Sequence, residues 1–187
     1  LNETKILVSI AAAVEMKNIE KKFSGKIIRV IPSLPSVVHA GVSLVAANDK
    51  VNQDELIEMV ELLNSIGVAK IIKESDFEAA ADLTSCAPGM IAEMFDQFYK
   101  AGLRYSSLDE NEAFDMVINT FYGTAKLLKE KGFRFEEIVK RVATKGGITQ
   151  EGVDVLKGNL PKIFDLVFKN TLEKYDVIKK KIDEQVR

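Results

Sequence analysis

Short apolar runs rich in β-branched residues crowd the first 73 positions of this chain, and no comparable alternating run follows them. This asymmetry limits the possible folds more than any other feature. The runs are Ile6-Leu7-Val8-Ser9-Ile10, Ile27-Ile28-Arg29-Val30-Ile31, residues 42–47 and residues 68–73. Short apolar stretches bounded by turn signals read as buried strands. Helical segments fall between them, one over residues 15–23 that Ser24-Gly25 stops, and one that opens on the capping-box pattern Asn52-Gln53-Asp54-Glu55 and runs to about residue 65. Strands alternating with helices argue for a Rossmann-like parallel sheet with its ligand crevice beyond the strand C-terminal ends. That crevice would be lined by Ala11, Ala12, Ala13 and by Pro32-Ser33-Leu34-Pro35.

Past Glu74 the character changes. Ser75-Asp76-Phe77-Glu78 has capping-box spacing, and the expected helices cover residues 76–83, 87–104, 110–131, 135–143, 149–158 and 160–184, with Gly102, Gly132, Gly146 and Gly158 as breaks. The fold class is therefore α/β followed by all-α, with the boundary near Glu74: a Rossmann-like part over residues 1–74 and an all-helical part over residues 75–187. In the last segment Leu160, Ile163, Phe164, Val167, Phe168, Leu172, Tyr175, Ile178 and Ile182 form one apolar stripe. A stripe that long wants a partner. A two-fold homodimer is the default, and burial within one chain is the alternative.

Several function classes fall away. With 187 residues and 47% hydrophobic content the chain can bury a real core, but its longest apolar run, residues 6–14, is interrupted by Ser9 and falls short of the ~20 residues of a membrane span. A net charge of −2 with interspersed signs argues against nucleic acid. A single cysteine, Cys86, excludes an internal disulfide, and a single histidine, His39, offers no zinc or iron cluster. A reducing cytoplasm fits this usage. No secretory signal leads the sequence, and a start on Leu1 rather than Met suggests a piece of a longer chain.

The chemistry points to Thr144-Lys145-Gly146-Gly147-Ile148-Thr149. Adjacent glycines admit positive φ and bring N–H groups close to a ligand, and a helix start just after them adds partial positive charge, which suits a carboxylate. A plain turn is the other reading, and it is what most glycine pairs are. Thr149 reads equally as an N-cap; a hydroxyl can cap and still offer its proton to a ligand. Lys145 is either a solvated turn residue or an added attraction for an anion. Cys86 reads as a small residue before Pro88 at a helix start, His39 as exposed and incidental, and Asp109 with Glu112 as a structural cap. Lys174, Lys179, Lys180 and Lys181 read as a solvated face.

The order of these pieces resembles the pyrroline-5-carboxylate reductase family. Ser9-Ile10-Ala11-Ala12-Ala13-Val14 stands where the family has SIAAGV, and Arg29-Val30-Ile31-Pro32-Ser33-Leu34-Pro35 where it has RVMPNTP. Residues 83–90 match LSGSGPAY, Gly123-Thr124-Ala125-Lys126 matches GAAK, and residues 144–149 match SPGGTT. The resemblance runs from Ile6 onward. It implies hydride transfer from NADPH or NADH to the C=N carbon of a cyclic imino acid, giving proline, in a homodimer or larger homo-oligomer. It implies cofactor contacts at Ala11, Ala12, Ala13, Ile31, Pro32 and Ser33. The N–H groups of Gly147, Ile148 and Thr149 would grip the carboxylate beside Gly146, the Thr149 hydroxyl would meet the ring nitrogen, and Val142 and Thr144 would wall the pocket.

The departures are Ala13 for glycine, Ser33-Leu34 for Asn-Thr, Ser85 and Ala87 for two glycines, Lys145 for proline and Ile148 for threonine. The family's Gly-rich dinucleotide fingerprint has no counterpart here, so the chain by itself is expected to bind NAD(P)H poorly. Two alternatives stay open: a catalytically altered paralogue acting as a dimeric binding or regulatory protein, and a reductase of another imine.

Overall fold

The apolar runs pair into one sheet in the order β1 (Ile6–Ser9), β2 (Lys26–Ile31), β3 (Gly41–Ala47), β4 (Gly67–Ile71). The computed structural model describes residues 5–186; Leu1 and the outer ends of both expected domains lie outside the described residues. β1 and β2 are parallel, as are β3 and β4, but β2 and β3 run antiparallel. The sheet is thus parallel in the main rather than throughout. A parallel crossover takes a dozen or more residues, usually a helix. The link from Ile31 to Gly41 is shorter and holds only the 3-10 helix Leu34–Val38, so the chain reverses.

β2 and β3 are the buried centre. On one face Ile27, Leu44 and Ala46 pack with Met16 of α1 (Met16–Glu20) and with Phe77 and Ala81 of α3 (Phe77–Thr84). On the other, Ile28, Val30 and Val45 meet Leu56, Met59 and Leu63 of α2 (Gln53–Asn64). The expected capping box forms on α2: Asn52 Oδ1 accepts from the Glu55 N–H at 2.9 Å, and Glu55 Oε2 from the Asn52 N–H at 3.0 Å. The second box does not form. Residues 74–76 make a 3-10 turn, and Glu78 faces Lys179 instead of its own backbone.

The helices α4 (Ala87–Arg104), α5 (Glu110–Lys131) and α6 (Phe135–Val142) lie where periodicity places them, and Asp109 caps α5 through the Asn111 N–H at 2.9 Å. The last two expected helices are one, α7 (Ile148–Gln185), with Gly158 and Pro161 inside it. An interior glycine costs about 1 kcal/mol against alanine and an interior proline about 3 kcal/mol through its lost hydrogen bond and ring clash, yet the 38-residue α7 runs through both. Of the four expected breaks, Gly132 and Gly146 hold positive φ, at 67° and 73°, and do interrupt the helices, whereas Gly102 lies within the last turn of α4.

The chain forms two compact units, Leu1–Met90 with Val167–Arg187, and Ile91–Leu166. The first holds the sheet. In the second, the buried side chain among the described residues is Ala113. None of the described helices is long and apolar enough to cross a membrane.

Candidate functional site

In the sheet-bearing unit, the parallel register Ser9↔Arg29 brings the loops after β1 and β2 out side by side at the strand C-terminal ends. Ala11, Ala12 and Pro32 are exposed, and Ile31 closes β2. Ala13 is buried at 2% exposure with φ 61°, the left-handed region. Ser33 is buried, and its hydroxyl accepts from the Val42 N–H at 2.8 Å, fixing the turn into β3. The 3-10 helix ends at His39, with φ 55° and Nδ1 2.9 Å from the Ser65 carbonyl. His39 is exposed as expected, yet it ties two loops together rather than being incidental.

Behind these loops lies a charged network. Glu74 Oε1 accepts from the Met16 N–H at 2.7 Å and from Arg29 Nη1 at 2.5 Å. Arg29 is 1% exposed, and its guanidinium carbon sits 4.8 Å from the Phe77 ring centre. In the sequence Arg29 stands only as part of its motif, and Glu74 only as the boundary between the two parts of the chain. The usable signal was an arginine in the middle of a buried strand, which requires a counter-ion.

One face of α7 is polar at spacings of four. The Thr171 hydroxyl donates to Asp82, Tyr175 Oη lies 3.4 Å from Cys86 Sγ, Lys179 bridges Glu15 and Glu78 at 3.0 Å each, and Asp183 accepts from Asn18 at 2.8 Å. Lys179 is therefore no solvated residue, because it falls one turn from Tyr175 on the face turned to α1 and α3. Burial raises the Glu15 carboxyl, but contacts from Lys17 and Lys179 outweigh it and hold it below the usual range. Burial lowers Lys179, and Glu15 and Glu78 outweigh that and raise it. Burial and then the Cys86 contact push the Tyr175 hydroxyl up.

The glycine loop belongs to the helical unit, between α6 and α7. Gly146 holds φ 73°, and a Cβ on Gly147 would lie 2.6 Å from Thr144 Oγ1, so the two glycines are required for different reasons. The Gly147 N–H donates to the Thr144 carbonyl at 2.9 Å, and the Gly147 carbonyl accepts from the Gln150 and Glu151 N–H groups. Gly147 thus occupies the capping position, and α7 starts at Ile148. Thr149 lies in the first turn, two residues past the cap. The first N–H groups of a helix have no intrahelical acceptor, so Ile148 and Thr149 present theirs at the loop. Ile148 is 94% exposed, and Val142, Thr144, Lys145, Gly146 and Thr149 are exposed as well.

The two groups of expected site residues thus form two clusters, residues 11–13 with 31–33 in one unit and 142–149 in the other. In the first, the exposed residues Ala11, Ala12 and Pro32 rim the C-terminal ends of two parallel strands, with Ala13 and Ser33 buried beneath them. A pyrophosphate cradle would need closely spaced glycines, and the chain contains no G-x-G-x-x-G. Among the described residues no group of three or more His, Cys, Asp or Glu side chains could hold a metal ion.

The family described as pyrroline-5-carboxylate reductase dimerisation matches residues 74–177. Pyrroline-5-carboxylate reductase 3 of Bacillus subtilis is 42% identical over 185 residues, covering 99% of this chain and 68% of that protein. ComE operon protein 4 of the same organism is 29% identical over 176 residues, 94% of this chain and 64% of that protein. A solved Plasmodium falciparum pyrroline carboxylate reductase with NADP bound superposes with a TM-score of 0.80 at 24% identity, covering 96% of this chain and 70% of that one. The chain spans about two thirds of these relatives. It belongs to the pyrroline-5-carboxylate reductase family, the NAD(P)H-dependent oxidoreductases of proline biosynthesis.

Proposed function

We propose that this chain, within its complete protein, reduces a cyclic imino acid of the pyrroline-5-carboxylate type: a hydride from NADPH or NADH adds to the C=N carbon, the ring nitrogen takes a proton, and proline results. Residues 1–74 would serve the nicotinamide through Ala11, Ala12, Ala13, Ile31, Pro32 and Ser33, and residues 75–187 would serve the substrate and the dimer. The task is orientation and charge complementarity more than acid–base chemistry. The observation that supports it most is the loop before α7, where two exposed N–H groups stand at the start of a long helix beside a hydroxyl.

In this reading the Ile148 and Thr149 N–H groups hold the carboxylate, while Gly146 and Gly147 shape the turn; the Gly147 N–H is already engaged by Thr144. The Thr149 hydroxyl meets the ring nitrogen, and Val142 and Thr144 wall the site. The crevice would serve the cofactor and the glycine loop the substrate, in a cytoplasmic homodimer or larger assembly. Proline formation by the complete protein from pyrroline-5-carboxylate with each nicotinamide is the test. Turnover with neither cofactor would refute it.

A second reading has its own support, since ComE operon protein 4 shows that relatives spanning 94% of this chain do not all carry the reductase name. A dimeric protein without turnover would then be the outcome of the same assay.

A further inference from the structure

We propose that Glu74 is a positioning residue for the nicotinamide cofactor, clamping together the two loops that would receive it; this rests on the reductase reading above. The loop of residues 11–13 runs into α1, a helix of five residues whose own N-cap, Glu15, makes no side-chain capping bond. The Met16 N–H is instead taken by Glu74, 58 residues further along the chain. The loop of residues 31–33 is fed by β2, where Arg29 lies two residues before Ile31 with its side chain 1% exposed. Among the described residues Glu74 is the carboxylate that pairs with it.

One oxygen therefore fixes the start of α1 and the buried middle of β2 together. Its own backbone lies in the 3-10 turn Glu74–Asp76 that leads into α3, so the clamp is held from a third element. Removing that oxygen leaves a buried guanidinium uncompensated and a short helix without its cap. Both effects loosen the Ala11 to Ala13 and Pro32 to Ser33 backbone, which keeps the local bonds from the Ala11 N–H to Ser9 Oγ at 3.4 Å and from the Val42 N–H to Ser33 Oγ at 2.8 Å but, among the described residues, nothing else that ties both loops to a third element. The consequence falls on cofactor affinity rather than on the hydride step, because Glu74 touches neither substrate nor reacting atoms.

The test uses the full-length protein and three variants: Glu74→Ala, Glu74→Gln and, as a stability control, Thr171→Val, which removes the bond to Asp82 away from both loops. NADPH and NADH dissociation constants are read by fluorescence titration, with KM, kcat and the melting temperature beside them. Glu74→Ala is expected to raise the cofactor Kd and KM about ten-fold with kcat at saturation within about two-fold, while Glu74→Gln, which keeps a neutral acceptor in place, raises them about three-fold. Thr171→Val should lower the melting temperature and leave cofactor affinity unchanged.

An unchanged Kd in Glu74→Ala overturns the proposal, as does an equal loss of affinity in Thr171→Val. Should Glu74→Ala not fold, an unchanged Kd in Glu74→Gln overturns it. A wild-type protein that binds nicotinamide dinucleotide without reducing pyrroline-5-carboxylate refutes the substrate reading and leaves the titration to decide on Glu74. One that binds neither cofactor refutes both.

Discussion

Ala13 holds φ 61° while only 2% exposed, at the position where the family pattern has glycine. An L side chain in that conformation costs roughly 1–2 kcal/mol, and glycine gives back about 0.5–1 kcal/mol through its freer unfolded chain. Ala13→Gly should therefore stabilise by about 0.5–1 kcal/mol, read as a melting temperature a few degrees higher. A lower melting temperature would show that the alanine methyl earns more in packing than it costs in strain. At Thr149 the structure sharpens what the sequence left open. Because Gly147 caps α7, the Thr149 hydroxyl is free of that duty, and stability and activity separate. Thr149→Val in the complete protein should lose on the order of a hundred-fold in kcat/KM with an almost unchanged melting temperature. Unaltered turnover would remove Thr149 from the mechanism. The glycine loop was legible because its signal is local, two glycines and a hydroxyl in six residues. Arg29 and Glu74 were not, because a pair 45 residues apart leaves no spacing to read.

At the scale of elements, strands β1 to β4 and helices α4 to α6 could be located from periodicity alone, since each is a run of one period between turn residues. Periodicity carries no strand direction, and the antiparallel β2–β3 pair followed instead from the length of the link at Pro32 and Pro35. The two capping boxes show the same limit. Asn52 and Glu55 cap each other's backbone although Glu55 also pairs with Lys26 through its other oxygen, whereas Glu78 is drawn to Lys179 and leaves Ser75 without its reciprocal bond. The packing of α7 on α1 and α3 accordingly has a pH signature. The Glu15 pKa is lowered by folding, so its contribution is complete above its unfolded value near 4.3 and is lost as pH falls through the lower folded value. The Lys179 pKa is raised, so its contribution is complete below about 10.4 and is lost as pH rises through the higher folded value. Urea midpoints between these limits should vary little on this account, and Lys179→Met should lower the plateau and flatten both edges. A variant whose midpoints kept the wild-type profile would show that this triad is inert.

At the scale of the whole molecule, the helical unit Ile91–Leu166 poses a problem of burial. It contains stacked Phe95 and Phe121 and an edge contact between Tyr99 and Phe114, yet Ala113 is its buried side chain among the described residues. Phe98, Phe114, Tyr122, Val155 and Leu156 are all exposed. Burying each such side chain is worth about 1.5–3 kcal/mol, and ordering each residue of a helix costs about 1–2 kcal/mol in backbone entropy. A single copy of this unit therefore leaves unused most of the apolar area that would offset its ordering. A second copy supplies the missing surface without any new sequence, and the match of residues 74–177 to a dimerisation family identifies the region concerned. The complete protein is expected to sediment as a dimer or a multiple of it. The double variant Phe114→Glu, Leu156→Glu should halve the mass, lower the melting temperature and make it depend on protein concentration. A wild-type monomer with a single, concentration-independent transition would mean that these faces are covered by something other than a second copy.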